Sequence, residues 1–203
     1  MIIQGLIKDV SNVCLSYLTE EEQIYISKKW ESFDKKRVCI IAAKNGWLDL
    51  MKWARQNDYK WNLITCSSAA ENGYLEILKW ARLNGCEWDS WTCSCAAKNG
   101  HLEVLKWARQ NGCEWNKYTC DNAALNGYIE ILKWARENGC RWNSETCSGA
   151  AYNGNLEVLK WAKENGCELH RKTCKYAARY CQSKILKWIE INGCVCGGQY
   201  HKD

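Results

Sequence analysis

A period of 27 residues governs this chain. The alanine pairs Ala42-Ala43, Ala69-Ala70, Ala96-Ala97, Ala123-Ala124, Ala150-Ala151 and Ala177-Ala178 each lie 27 residues after the last. Trp53, Trp80, Trp107, Trp134, Trp161 and Trp188 keep the same step without one insertion. A period held that strictly requires every unit to meet its neighbours through the same contacts. The stretch Thr92 to Tyr118, TCSCAAKNGHLEVLKWARQNGCEWNKY, shows the unit, and Thr119 starts it again.

The unit reads as two short antiparallel helices. Thr92 stands where an N-cap is wanted, with a hydroxyl able to accept from a free backbone N–H. Cys93, Ala96 and Ala97 are small, so a neighbouring helix can approach closely. Asn99-Gly100 stops the first helix, because glycine tolerates the left-handed conformation there. The second helix is predicted from about His101 to Asn111, with Leu102, Leu105 and Trp107-Ala108 as its apolar stripe and Val104 beside it. Glu103 and Lys106, three apart, form a surface pair, and Asn111-Gly112 ends the helix. A unit this small cannot bury its apolar face alone. Stacking buries it, so the expected fold is all-α: a solenoid of about six helix pairs, with Trp107 and its equivalents in the core or at its rim.

The residues TCxxAAxNGHLEVLKWARxNGC resemble the ankyrin repeat. The threonine, the alanine pair, the Gly-His turn, the leucine-rich outer helix and the terminal glycine all have counterparts in that family. His101 holds the Gly-His position only in the third repeat; Trp47, Tyr74, Tyr128, Asn155 and Gln182 stand there elsewhere. The unit is short beside the family's roughly 33 residues. Between Gly112 and Thr119 there is room for a tight turn but not for a hairpin finger. Short, tryptophan-rich repeats of this type are similar to those of giant DNA viruses and their amoebal hosts. The resemblance implies a binding module, placed in the infected host cell if the viral likeness extends to origin.

Fifteen cysteines raise the question of disulfides. The number is odd, and the start MIIQGLIKDV lacks a basic segment before a long apolar core. Most of the cysteines also fall into two ladders. One runs Cys39, Cys66, Cys93, Cys120, Cys147 and Cys174; the other runs Cys86, Cys113, Cys140, Cys167 and Cys194. Neighbouring rungs sit one repeat apart, about 10 Å for stacked helices, beyond the roughly 7 Å that a disulfide spans. These thiols are read as small buried apolar groups. A reducing compartment, cytoplasm or nucleus, is expected on that ground. No apolar run reaches membrane length.

Residues 38–194 carry the six repeats, residues 1–37 precede them and residues 195–203 form a tail. Ile3, Leu6, Ile7, Val10, Val13 and Leu18 keep a helical stripe, which makes residues 1–37 a helical cap for the first repeat. The same segment, LIKDVSNVCLSYL followed by ISKKWESF, resembles a degenerate F-box through Leu6, Asp9, Val10, Leu15, Ser16, Tyr17, Leu18 and Trp30. Ile7 replaces that family's proline and Ser11 a leucine. This resemblance implies docking on a Skp1-type adaptor and recruitment of a target to a cullin-type ubiquitin ligase. The end repeats are worn. Val38 replaces the threonine, Asp58-Tyr59 replaces Gly-Cys, Leu169 replaces the connecting tryptophan and Tyr180-Cys181 replaces Asn-Gly. In the tail, Cys194, Cys196 and His201 lack the paired CxxC spacing of a zinc knuckle, so no metal or other cofactor is expected.

No nucleophile elbow, phosphate loop or metalloprotease helix occurs, so no catalytic residue and no small-molecule substrate are assigned. Comparing the repeats with one another separates scaffold from message. The threonine, alanines, leucines and tryptophan hold steady. The positions flanking the alanine pair, the turns and the Gly-His position change chemistry. They nominate Glu71, Tyr74, Trp91, Cys95, Lys98, His101, Tyr118, Asn122, Leu125, Tyr128, Tyr152, Arg171, Lys172, Tyr176 and Arg179 as partner-binding residues on the inner-helix and turn side. A third reading takes the net charge of +5 as a nucleic-acid signal. Residues 168–203 hold seven basic and three acidic side chains, against fifteen and fourteen in residues 38–167. The excess is confined to one repeat and its tail. That is a small footprint, so nucleic acid ranks below a protein partner.

Overall fold

The computed structural model describes residues 37–193. Among these residues there are twelve α-helices and no strand. They run α1 (Val38–Asn45), α2 (Leu48–Gln56), α3 (Leu63–Glu71), α4 (Leu75–Leu83), α5 (Ser90–Lys98), α6 (Leu102–Gln110), α7 (Lys117–Leu125), α8 (Ile129–Glu137), α9 (Ser144–Tyr152), α10 (Leu156–Glu164), α11 (Arg171–Arg179) and α12 (Ser183–Ile191). Each repeat contributes an odd-numbered inner helix and an even-numbered outer one. The chain divides into two compact units, with the boundary between Trp88 and Asp89. Repeats 1 and 2 lie in the first and repeats 3 to 6 in the second. The connections between repeats, such as residues 111–116, contain no hairpin, as their length demands.

The cap of the inner helix is not the threonine. It is the residue three places earlier: Asn62, Asp89, Asn116 or Asn143, whose side chain accepts from the second helical N–H at 2.9–3.0 Å. His170 does this more weakly in the sixth repeat, through Nδ1 at 3.4 Å. The threonine occupies the third helical position and is buried. In the first unit Thr65 closes a capping box, its Oγ1 accepting from the Asn62 N–H at 3.3 Å. At Thr119, Thr146 and Thr173 of the second unit the hydroxyl reaches the preceding repeat instead. Ser94 Oγ lies 3.5 Å from Thr119 Oγ1, Thr146 donates to Asp121 Oδ1 at 2.6 Å, and Ser148 Oγ lies 3.3 Å from Thr173 Oγ1. The position after the next repeat step is Lys175, which is exposed. A long ammonium there closes the series of small hydroxyls and acid that receive the next repeat.

Asp121 is the one acid in that series. Burial raises its carboxyl above the ordinary value of 3.8, opposed by the Thr146 hydrogen bond and by Lys117, with Glu145 adding to the rise. A raised folded-state pKa means that the folded chain holds the proton more tightly. The resulting stabilisation is full below the ordinary aspartate range and is lost as pH climbs through the folded value. Asp121→Asn keeps the acceptor for Thr146 and removes the desolvated charge. It is expected to flatten the urea-midpoint profile as pH rises above the ordinary aspartate value and to leave stability at neutral pH no lower. A midpoint that drops at neutral pH would show that the charge itself is required.

Both helix ends use Asn-Gly for separable reasons. At the outer end, Asn111 Nδ2 donates to the Trp107 carbonyl at 2.8 Å, alongside the Asn111 backbone N–H that reaches the same carbonyl at 3.1 Å. Gly112 follows at φ +82°, with open space where a Cβ would stand. The inner-helix glycine is crowded as well as left-handed. A Cβ on Gly100 would lie 2.7 Å from Tyr128 Cε1, and one on Gly46 equally close to Tyr74 Cε1. In the worn repeats Asp58 at φ 60° and Cys181 at φ 52° take this conformation without glycine.

The outer-helix stripe is narrower than its sequence suggests. In α6 Val104, Leu105 and Ala108 are buried, whereas Leu102 and Trp107 are half-buried. The tryptophans therefore line the rim. Trp134 meets Trp115 edge-on at 5.6 Å, and Trp161 meets Trp142 at 5.7 Å. Arg109 lies 4.3 Å over Trp115 while its Nη1 donates to the Cys113 carbonyl, and Arg136 repeats this over Trp142 and Cys140. In the first unit Arg55, Trp61 and Trp80 form the same series. It stops where Lys163 replaces the arginine and Leu169 the tryptophan. The Glu103–Lys106, Glu130–Lys133 and Glu157–Lys160 pairs form as expected on the solvated face at 2.9–3.0 Å, where they contribute little.

Candidate protein-binding face

Within the second unit the inner helices α5, α7, α9 and α11 present one residue per repeat in each of several rows. The second helical residue makes one such row: Trp91, Tyr118 and Lys172 are exposed and Glu145 is half-buried. Trp91 and Tyr118 are 54% and 45% exposed, and their rings stack at 5.8 Å with only 6° between planes. Lys117 Nζ sits 5.3 Å from the Tyr118 ring. The row continues as an ion pair, Lys172 to Glu145 at 2.5 Å, which holds the lysine pKa above its ordinary value.

A second cluster lies at the other end of the same unit. Tyr152 and Tyr180 approach to 4.2 Å, and Tyr152 meets Tyr176 edge-on at 5.7 Å. The Tyr180 hydroxyl bonds that of Tyr152 and raises its pKa. Arg179 stands 5.9 Å from the Tyr180 ring. The face thus offers flat aromatic surface at α5–α7, a balanced charge pair at α9–α11 and a tyrosine cluster flanked by a guanidinium. These groups can grip a peptide or protein surface. Among the described residues they include no nucleophile–base pair, and no cluster of three or more side chains suited to hold a metal ion occurs.

Comparison with known proteins agrees with this architecture. Residues 93–136 match the family model described as ankyrin repeats (many copies). The structure matches the crystal structure of the human ASB11 ankyrin repeat domain with a TM-score of 0.62. That match is at 14% identity and covers 76% of this chain and 83% of the other. The fold is that of an ankyrin-repeat array. No curated protein matches the chain. The likeness to the human domain shows the fold alone; the face of this ankyrin array is defined by its own residues.

Several residues nominated from the sequence have work inside the array. The Tyr128 ring covers Gly100 of the preceding ankyrin repeat, and the Tyr74 ring covers Gly46 in the first unit. Asn122 Nδ2 donates to the Ser94 carbonyl at 3.2 Å, and half-buried Leu125 lies 3.4 Å from the Cβ position of Gly149. These four serve the contacts between repeats, although both tyrosines keep an exposed edge. His101 is half-buried ahead of α6, its N–H bonded to the Ala96 carbonyl. Glu71 and Cys95 are half-buried on their helices and Lys98 is exposed. Arg171 opens α11 at the place of Ser90, whose Oγ accepts from Asn116 Nδ2 of the next repeat at 2.8 Å. Together with Lys175 it lies on the side that earlier repeats turn to their successors. Trp91, Tyr118, Tyr152, Lys172, Tyr176 and Arg179 are the nominated residues that the second unit gathers on one exposed face. Tyr180 was missed. It takes the helix-ending place that asparagine fills elsewhere, and the four-residue step from Tyr176 was the available signal. The F-box-like residues Leu6, Asp9, Val10, Leu15, Leu18 and Trp30 lie outside the described residues, as do Cys194, Cys196 and His201. No helix among the described residues is long and apolar enough to cross a membrane.

Proposed function

We propose that this chain is a non-catalytic protein-binding module whose partner seats on the inner-helix face of repeats 3 to 6. The observation that carries this reading is the Trp91–Tyr118 pair. Two large rings stack flat on each other while both remain about half open to water, which leaves apolar surface for a partner to cover. Trp, Tyr and Arg dominate the energetics of protein interfaces, and the tyrosine cluster with Arg179 extends the same chemistry along the unit.

The test uses partners recovered from the native cell by cross-linking to the full chain. Trp91→Ala with Tyr118→Ala is expected to weaken a direct partner by about 2 kcal/mol or more, some thirtyfold in Kd. Circular dichroism and the urea midpoint should hardly move. A partner that binds the double variant with unchanged Kd sinks the assignment of this face. Binding to nucleic acid that survives these changes, falls steeply with salt and is lost on reversing Arg171, Lys172, Lys175 and Arg179 to Glu would replace it with the nucleic-acid reading. Adaptor docking by residues 1–37 is supported by the sequence match of Leu6, Asp9, Val10, Leu15, Leu18 and Trp30. Its test is co-purification with a Skp1-type adaptor, abolished by Leu6→Glu with Val10→Glu while the repeats stay folded.

A further inference from the structure

The two cysteine ladders meet inside each repeat. In repeat 3, Cys93 is the fourth residue of α5, and Cys113 follows the glycine that ends α6. Cys93 Sγ points at the Cys113 carbonyl at 3.9 Å, and Cys113 Sγ at the Asp89 carbonyl, 3.2 Å away at the head of α5. The Cys93 thiol therefore lies against the Cys113 backbone and the Cys113 thiol against the N-cap of α5, and the two thiols hydrogen-bond one another. The arrangement recurs. Cys66 and Cys86 make the equivalent contacts at 4.0 and 3.5 Å, and Cys120 and Cys140 at 4.0 and 3.4 Å. In repeat 5, Cys167 reaches the Asn143 carbonyl at 3.3 Å and bonds the Cys147 thiol. All eight are buried, yet the second cysteine of every pair sits in a connection between two exposed residues: Gly85 and Glu87, Gly112 and Glu114, Gly139 and Arg141, Gly166 and Glu168.

We propose that repeats 2 to 5 each hold a dithiol built to close as an intra-repeat disulfide by exchange with a low-molecular-weight disulfide: Cys66–Cys86, Cys93–Cys113, Cys120–Cys140 and Cys147–Cys167. Lifting the connection alone uncovers the second cysteine, so it attacks first. The hydrogen bond from its partner lowers its pKa, and the nearby arginine adds to this at Cys86, Cys113 and Cys140. In repeat 3, the Cys113 thiolate attacks one sulfur of the reagent and breaks its S–S bond. The first reagent thiolate leaves and takes up the proton that Cys113 gave. Cys93 then loses its proton and attacks Cys113 Sγ, and the second reagent thiolate leaves with that proton. The protein dithiol has lost two electrons and two protons; the reagent disulfide has become two thiols. The bond ties the inner helix to the exit of its own outer helix. Rungs of one ladder stay a repeat apart and do not join.

Repeat 1 supplies an internal control. Tyr59 stands where the second cysteine would be, and burial pushes the unpaired Cys39 thiol up to about 11. The experiment equilibrates the full chain in glutathione buffers from fully reduced to fully oxidised. Free thiols are trapped by alkylation, and the linked peptides are mapped by mass spectrometry without reductant. The four named links are expected, with Cys39 still alkylated and a urea midpoint that rises on oxidation and returns with dithiothreitol. Cys113→Ser should free Cys93 and leave the other three links intact. Links between repeats such as Cys93–Cys120, stable glutathione adducts on the eight cysteines, or eight free thiols in the fully oxidised buffer would each overturn the proposal.

Discussion

Leu132→Ala is expected to lower the stability of the second unit by about 2–5 kcal/mol, the range for emptying a leucine site in a closed core. Trp134→Ala, two residues along the same helix, is expected to cost less, about 1–2 kcal/mol. The order runs against residue size, and burial is the reason. Leu132 is fully buried, as are Ile131 and Ala135 on the same helix, so its removal leaves a void that close-packed neighbours do not fill. Trp134 keeps one face toward solvent and loses chiefly its edge-on contact with Trp115. Urea unfolding of both variants at an unchanged m value measures the difference. A larger loss at Trp134 than at Leu132 would place the tryptophan row in the core.

Periodicity dictates the architecture and stops short of burial. An unbroken 27-residue step requires like contacts from unit to unit, and the helical spacing of apolar residues inside each unit makes those units helix pairs. It does not say which of several recurring apolar positions faces inward, and the wide stripe from Leu102 to Ala108 hid the narrow one of Val104, Leu105 and Ala108. Nor does it choose between two capping residues in the same phase. Thr92 and Asp89 recur together, and only backbone direction shows that Asp89 caps α5 while Thr92 is buried one turn inside it. Cysteine spacing gave the distance between rungs and missed the meeting of the ladders, because twenty residues and two helices separate Cys93 from Cys113. For the candidate site, change from repeat to repeat marks positions free of the scaffold. It does not distinguish a side chain open to a partner, such as Trp91, from one fitted to its neighbour, such as Asn122.

Deleting residues 117–143 is expected to leave a folded array that no longer binds its partner. The cut removes one whole repeat, α7 with α8, and joins Asn116 to Ser144. Asn116 and Asn143 are the same residue in the same phase, so the cap of α9 is rebuilt at once, with Asn116 Oδ1 accepting from the Glu145 N–H. Each new neighbour contact has a precedent elsewhere in the unit. Ser94 meets Thr146 as Ser148 meets Thr173, Trp115 meets Trp161 as Trp142 does, and Asn155 covers Gly100 as it covers Gly127. The loss is one repeat's own stability and one interface, with m lower by roughly a sixth because that share of the buried surface is gone. The binding face fares differently. Trp91 now faces Glu145 where Tyr118 stood, and the stacked pair no longer exists. A cut of residues 117–128 removes an inner helix without its outer partner and should abolish cooperative unfolding. If the whole-repeat deletion also loses its cooperative transition, the repeats are not interchangeable units. If it keeps both the transition and full affinity, the partner does not sit on Trp91 and Tyr118.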